Sequence, residues 1–209
     1  MLMKNHILHM KNRESRRTKG MTMTTGNTFV YMVRHAESPY VEGQERTREL
    51  SAAGLDAAGV VAKSLRDADI QVFYSSPYRR AIQTLEGLAA VSGHPIHLRE
   101  DLRETEFGTT RVDMTSVQKM YNDPTHAFPE GESNQASQER AAACLLAILR
   151  EHEGERIAIG THGNVMTLMM GYFDPAYGYD FLLHTSKPDI YRLEFAGSQL
   201  VEVVRLWEA

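Results

Sequence analysis

Short apolar runs rich in β-formers alternate with helical stretches along most of this chain, and that alternation limits the fold more than any other feature. Phe29–Val33, Ile70–Tyr74, Pro95–Leu98 and Arg156–Gly160 are too short for core helices and suit strands covered on both faces. Ser51 is placed to cap a helix in which Leu55, Ala58, Ala62 and Leu65 recur at helical spacing. After the second run, Ser76 is predicted as a cap with Pro77 at the first helical position. Gln135–His152 reads as an amphipathic helix stopped by Gly154, and Gly163–Gly171 as another. The tail holds two alternating runs joined by Gly197–Ser198, the pattern of an edge hairpin. Strand–helix alternation of this kind predicts an α/β domain, three layers deep (α/β/α), around a mostly parallel sheet. Residues 109–134 break it: they are polar and irregular, with a short helix around Met114–Tyr121, and read as a small cap insertion.

Charge divides the chain into two unequal parts. Residues 1–20 hold six Lys/Arg and one acid, leaving 17 basic and 26 acidic residues to the remainder, a formal net of −9. An acidic body of this kind argues against a nucleic-acid surface. The basic leader has no apolar stretch of a secretory signal, so residues 1–27 are expected to be a disordered extension and 28–209 the folded domain. No run approaches the roughly 18 uninterrupted apolar residues of a membrane span. A single cysteine, Cys144, sits in an apolar helical stretch, which predicts a packing role, no disulfide and a reducing, cytoplasmic location.

Three predicted strand ends carry unusual residues: Arg34, His35 and Glu37 after the first, Ser75–Ser76 with Arg80 after the second, and Thr161, His162 and Gly163 after the fourth. Ligands of open parallel sheets gather beyond those ends. A histidine at one strand end is an ordinary structural feature, but recurrence at equivalent ends brings two imidazoles and two guanidiniums to one crevice. That set suits a phosphoryl group. Guanidiniums offer planar forks of donors, the helix opened by Ser76–Pro77 would add partial positive charge, and a neutral imidazole can take up phosphorus covalently. A second, protonated histidine would stabilise the equatorial oxygens. The histidines lack the spacing and acidic companions of a zinc site, so neither metal nor cofactor is expected.

On these motifs the sequence resembles the histidine phosphatase superfamily, the phosphoglycerate mutase-like family. R-H-A-E-S at Arg34–Ser38 matches its R-H-G-E signature with Ala36 for glycine, and L-S-A-A-G at Leu50–Gly54 matches L-T/S-x-x-G. Ser75–Thr84, Asp101–Gly108, Pro129–Ser133 and Thr161–Gly163 match four further elements in the family's order. The resemblance implies that His35 is the phosphorylated nucleophile, that Arg34, Arg80 and His162 bind the phosphate, and that Glu104 is the general acid, its proton retained by a raised pKa. Gly163 stands where the acid-phosphatase branch has an aspartate donor, and Glu106, two residues beyond Glu104, is the alternative acid. Glu37 and Glu132 are expected to orient partners or substrate, with a plain helix-entry role as the other reading of Glu132.

Hydrolysis is the expected activity, on a small phosphate ester. The cap has fewer than thirty residues with Arg111 and Lys119 as its bases, and the asparagine of the family's cofactor-dependent mutases is missing, Val41–Gly43 standing there instead. A mutase and a non-catalytic phospho-ligand module are the alternatives. Arg46 and Arg48 are candidates to read a second anionic group, and Tyr177, Tyr179 and Phe181 form either an aromatic wall or core. The physiological substrate stays open, as does assembly as a homodimer.

Overall fold

A computed structural model of the chain describes residues 26–109 and 113–208. All but the end of the expected N-terminal extension, and Arg111 of the cap, lie outside them. The elements run β1 (Thr28–Arg34), α1 (Ala52–Ser64), β2 (Val72–Ser75), α2 (Arg79–Ser92), β3 (Ile96–Leu98), α3 (Met114–Asn122), α4 (Asn134–Glu151), β4 (Arg156–Thr161), α5 (Gly163–Phe173), α6 (Tyr179–Leu183), β5 (Asp189–Ala196) and β6 (Gln199–Arg205).

The strands form one sheet in the order β3-β2-β4-β1-β5-β6. Neighbours from β3 to β1 are parallel, and β5 runs antiparallel to both β1 and β6. Alternation along β1 sorts its side chains to two faces. Tyr31 and Val33 join Val61, Leu65, Leu85 and Leu88 under α1 and α2, whereas Val30 and Met32 join Leu145, Ile148, Met166 and Met169 under α4 and α5. The sheet is thus sandwiched as the strand–helix alternation predicts.

Two local expectations need correction. Helix α1 is capped as expected, Ser51 Oγ accepting from Gly54 N at 3.0 Å, but its buried face is Gly54, Ala58 and Val61. Leu55 is 52% exposed, because an apolar residue at the right period can still lie at the margin of the stripe. Helix α2 begins at Arg79 with Tyr78 at its cap position. Ser76 and Pro77 form the turn before it, which frees the Ser76 hydroxyl for another partner. Cys144 is partly buried against the α4–α5 core, and burial pushes its thiol up to about 11, in keeping with packing.

Candidate active site

Sheet register builds this site. In β1 and β4, Arg34 pairs with Thr161, and in β2 and β4, Ser75 pairs with Gly160. The next residues, His35, His162 and Ser76, therefore leave three adjacent strands side by side. The two imidazoles meet edge to face with ring centres 5.2 Å apart.

Each ring is held by its other nitrogen. His35 Nδ1 lies 2.7 Å from the Ala36 carbonyl oxygen; a carbonyl only accepts, so Nδ1 carries the proton and Nε2 presents a lone pair. Burial, then Arg80, push the His35 pKa well below its ordinary value, with only the Ala36 bond opposing strongly. His162 is fully buried, with Nε2 2.7 Å from Ser76 Oγ. Its pKa is also driven well below the ordinary range, by burial and then by Arg80 and His35. Burial and the neighbouring guanidiniums thus favour the neutral form of both rings.

Arg34 leans on Gly163, where a Cβ would stand 2.8 Å from the guanidinium carbon. Its Nη1 donates to the Thr185 carbonyl at 3.1 Å and to the Thr185 hydroxyl. Arg80, only 1% exposed, donates from Nη1 to the Glu45 carbonyl at 2.5 Å and from Nη2 to Glu45 Oε1 at 2.6 Å. Both guanidiniums are thus anchored at one end, and both Nε atoms, together with His162 Nδ1, are buried without a partner. Burial lowers both arginine pKa values from the ordinary one, opposed chiefly by Glu104 for Arg34 and by Glu45 for Arg80.

Glu104 faces the same place from the segment after β3. Its Oε1 accepts from Thr105 N and Val165 N, both at 2.9 Å, and Oε2 accepts from Asn164 N at 3.2 Å. The carboxylate thereby caps α5, the helix that follows His162. A cavity of about 530 Å³ opens beside it, lined among others by Arg34, Glu104, Gly163 and Asn164.

The structure separates the remaining candidates from this cluster. Glu106, exposed, turns away to Arg103 Nε at 3.3 Å. Glu132 binds Arg140, accepts from Glu106 N at 3.1 Å and stands 3.4 Å from Arg103 Nη2, so it ties the Glu104 segment to α4. Glu37 accepts from Ser51 Oγ at 2.8 Å and fixes the start of α1. Both glutamates orient backbone and neither is brought to the anion-sized cluster. Arg46 is spent on Glu100 at 2.9 and 2.7 Å, and Arg48 on Glu45 and the Ser38 carbonyl, so neither is a free reader of a second anion. Tyr177 packs on Phe181 and Phe181 on Tyr191 at the edge of the core, while Tyr179 donates to the Met114 carbonyl at 3.1 Å. The α2 N-terminus is also occupied: Arg79 N donates to the Arg46 carbonyl at 2.9 Å and Tyr78 N to Ser76 Oγ at 3.2 Å. Sequence reasoning missed Glu45 as the anchor of Arg80, for which the only signal was E-R-T-R with its acid three residues before Arg48. It also missed Thr185. Among the described residues, no group of three or more His, Cys, Asp or Glu is placed to hold a metal ion, and no helix is long and apolar enough to cross a membrane.

The fold and the paired histidines agree with what the chain resembles. The sequence profile of the histidine phosphatase superfamily (branch 1) matches residues 30–207, and the chain belongs to that family of phosphoryl-transfer enzymes. Phosphoglycerate mutase-like protein 4 of Arabidopsis thaliana is 30% identical over 203 residues, covering 85% of this chain and 84% of that one. A Schizosaccharomyces pombe protein named a probable phosphatase is 28% identical over 66% of this chain, which spans only 54% of that relative's length. Among solved structures, Bacillus stearothermophilus YhfR superposes with a TM-score of 0.69 at 25% identity, covering 83% of this chain and 94% of that one. A mycobacterial glucosyl-3-phosphoglycerate phosphatase superposes with a TM-score of 0.68 at 18% identity, over 86% and 97% of the two chains, a likeness of fold alone.

Proposed function

We propose that the protein hydrolyses phosphomonoesters through a phosphohistidine on His35. The observation that carries this reading is the set of buried nitrogens without a partner, Arg34 Nε, Arg80 Nε and His162 Nδ1, beside an imidazole whose free nitrogen is Nε2. An unsatisfied buried donor costs roughly 1–3 kcal/mol, and a phosphate dianion offers acceptors to all three.

His35 Nε2 attacks phosphorus while the ester P–O bond breaks. Arg34 and Arg80 take the equatorial oxygens on their open Nε edges, where charge must be stabilised as the phosphoryl group passes. With the Ser76 hydroxyl donating to Nε2, neutral His162 presents Nδ1–H to the same group. Glu104 gives its proton to the leaving oxygen and then takes one from the water that attacks phosphohistidine; the N–P bond breaks, and alcohol and phosphate depart. Glu104 is favoured over Glu106 because it lines the cavity. Hydrolysis is favoured over mutase transfer because the described part of the cap brings Met114 and Val117 to the cavity and no basic side chain; Lys119 lies over the Phe128 ring instead.

The test is turnover of 4-nitrophenyl phosphate in the presence of a chelator, with acid-labile phosphoenzyme trapped by quenching. Wild type is expected to turn over and to label, and His35→Ala to do neither. Turnover that survives in His35→Ala would overturn the phosphohistidine route. Interconversion of 2- and 3-phosphoglycerate faster than their hydrolysis would replace hydrolase by mutase.

A further inference from the structure

The cavity beside Glu104 has two kinds of wall. Phe107, Met114, Val117, Leu182 and Leu183 supply an apolar side, and Lys187 a cationic one. Met114 and Leu183 are 47% and 49% exposed, large apolar side chains lining an opening that no described residue fills. Scattered singly, such residues need no explanation, but here they share a pocket with a general-acid candidate.

Lys187 stands apart from the other cations of the site. Arg34 is anchored to Thr185, and Arg80 and Arg48 to Glu45. Among the described residues Lys187 has neither an ion pair nor a side-chain hydrogen bond, although it lies in the field of Arg34, Arg48, Glu104 and Arg80. Burial, then Arg34 and Arg48, lower its pKa, with Glu104 opposing. The residues around it are tied down. Ser186 N donates to Asp189 Oδ2 at 2.9 Å, and buried Asp189 is clamped by Arg205 at 2.8 and 2.9 Å. Lys187 thus lines the cavity from a turn whose neighbouring residues are already tied down, which reduces the ordering cost of using it.

Two arginines and His162 already serve a phosphate dianion in the reading above, on which this inference rests. Lys187 is then a surplus cation on the leaving-group side. We propose that the pocket selects phosphomonoesters whose leaving group has an apolar body ending in a second anionic group, such as a carboxylate, the apolar wall taking the body and Lys187 the anion. Pockets of this composition, mostly apolar with few polar groups, fix a ligand's orientation through those few.

The proposal is tested with phenyl phosphate, 4-carboxyphenyl phosphate and phosphoglycolate on wild type, Lys187→Met and Leu183→Ser. Lys187→Met keeps most of the aliphatic stem, and is expected to lower kcat/KM for 4-carboxyphenyl phosphate about fivefold to tenfold, leaving phenyl phosphate within twofold; Lys187→Arg restores most of the loss. Leu183→Ser is expected to lower kcat/KM for both aryl esters more than for phosphoglycolate. Equal losses on phenyl and carboxyphenyl esters would make Lys187 a ligand of the phosphate itself and overturn the proposal. So would no loss on the carboxyphenyl ester, or a Leu183→Ser effect that ignores the aryl group. Failure of wild type to hydrolyse any of the three would instead count against the phosphatase reading.

Discussion

Gly163 offers a sharp test of how this site is built, because activity and stability should move in opposite directions. A methyl group there would lie 2.8 Å from the Cζ and Nη2 of Arg34 and 3.0 Å from Nε, against comfortable contacts of about 3.5–4.0 Å. The guanidinium must therefore retreat by about 1 Å, while Nη1 stays tethered to the Thr185 carbonyl at 3.1 Å. Losing one charge-assisted contact to the phosphate removes about 1.5–3 kcal/mol, roughly 10- to 150-fold in affinity, and a 1 Å misplacement is costly on a similar scale. The backbone argues the other way. Gly163 opens α5 outside the left-handed region, so Gly163→Ala stabilises by about 0.4–1 kcal/mol through the unfolded chain. For a domain of this size that is roughly 1–4 °C in Tm. We expect kcat/KM for 4-nitrophenyl phosphate and affinity for orthovanadate to fall together by at least tenfold, with Tm equal or higher. Unchanged vanadate affinity would refute the role given to Arg34, and a Tm lowered by several degrees would assign the loss to unfolding.

Glu104→Gln is expected to reduce kcat/KM for phenyl phosphate by about 10²–10⁴-fold but for 2,4-dinitrophenyl phosphate far less, since a good leaving group needs no proton; equal losses on both esters would remove Glu104 from the acid role. Ser76→Ala removes the hydroxyl 2.7 Å from His162 Nε2, and should weaken vanadate binding about threefold to tenfold while shifting the His162 imidazole nitrogen resonances; unchanged resonances would sink the tautomer assignment. Because folded-state pKa values of His35 and His162 are both lowered, the unfolded chain binds more protons as pH falls below about 6.5, so stability declines there. The urea midpoint should drop between pH 7 and 5, and drop less in His35→Asn/His162→Asn; a wild-type midpoint that is flat over that range would contradict the buried neutral pair.

What could be read from sequence follows from how local the cause is. Strand ends at Arg34, Ser75 and Thr161 were legible because short apolar runs bounded by polar residues need no distant partner to be recognised. That three of those ends meet followed from parallel topology, and so did the meeting of His35 and His162. Glu45 was illegible because its reason is a guanidinium 35 residues away. Leu55 misled because periodicity gives a helix its face but not the width of the buried stripe. The state of His162 was hidden for a similar reason: the sequence places it near cations but does not reveal that it is fully buried, and burial is the largest cause of its lowered pKa. Glu106 was kept as the alternative to Glu104 because period two points both the same way, whereas the α5 N-terminus that Glu104 caps distinguishes them.

Several motif residues have no direct part in the chemistry, and the structure gives them a common task. Thr84 Oγ1 accepts from Ala36 N at 3.1 Å and donates to the Arg80 carbonyl at 2.7 Å, so one hydroxyl joins the backbone just after His35 to that of Arg80. Gln83 accepts from Leu50 N at 2.9 Å and ties α2 to the loop that carries Glu45. Gly108, at φ 62°, lets the chain pass where a Cβ would stand 1.9 Å from the Pro129 carbonyl, and Glu132 N donates to the Glu106 carbonyl at 2.8 Å across the same junction. The scattered elements are therefore two ends of the same few contacts. Each holds a backbone stretch whose neighbour bears Arg34, His35, Arg80 or Glu104, and a displacement of about 1 Å in any of them reaches the reacting group.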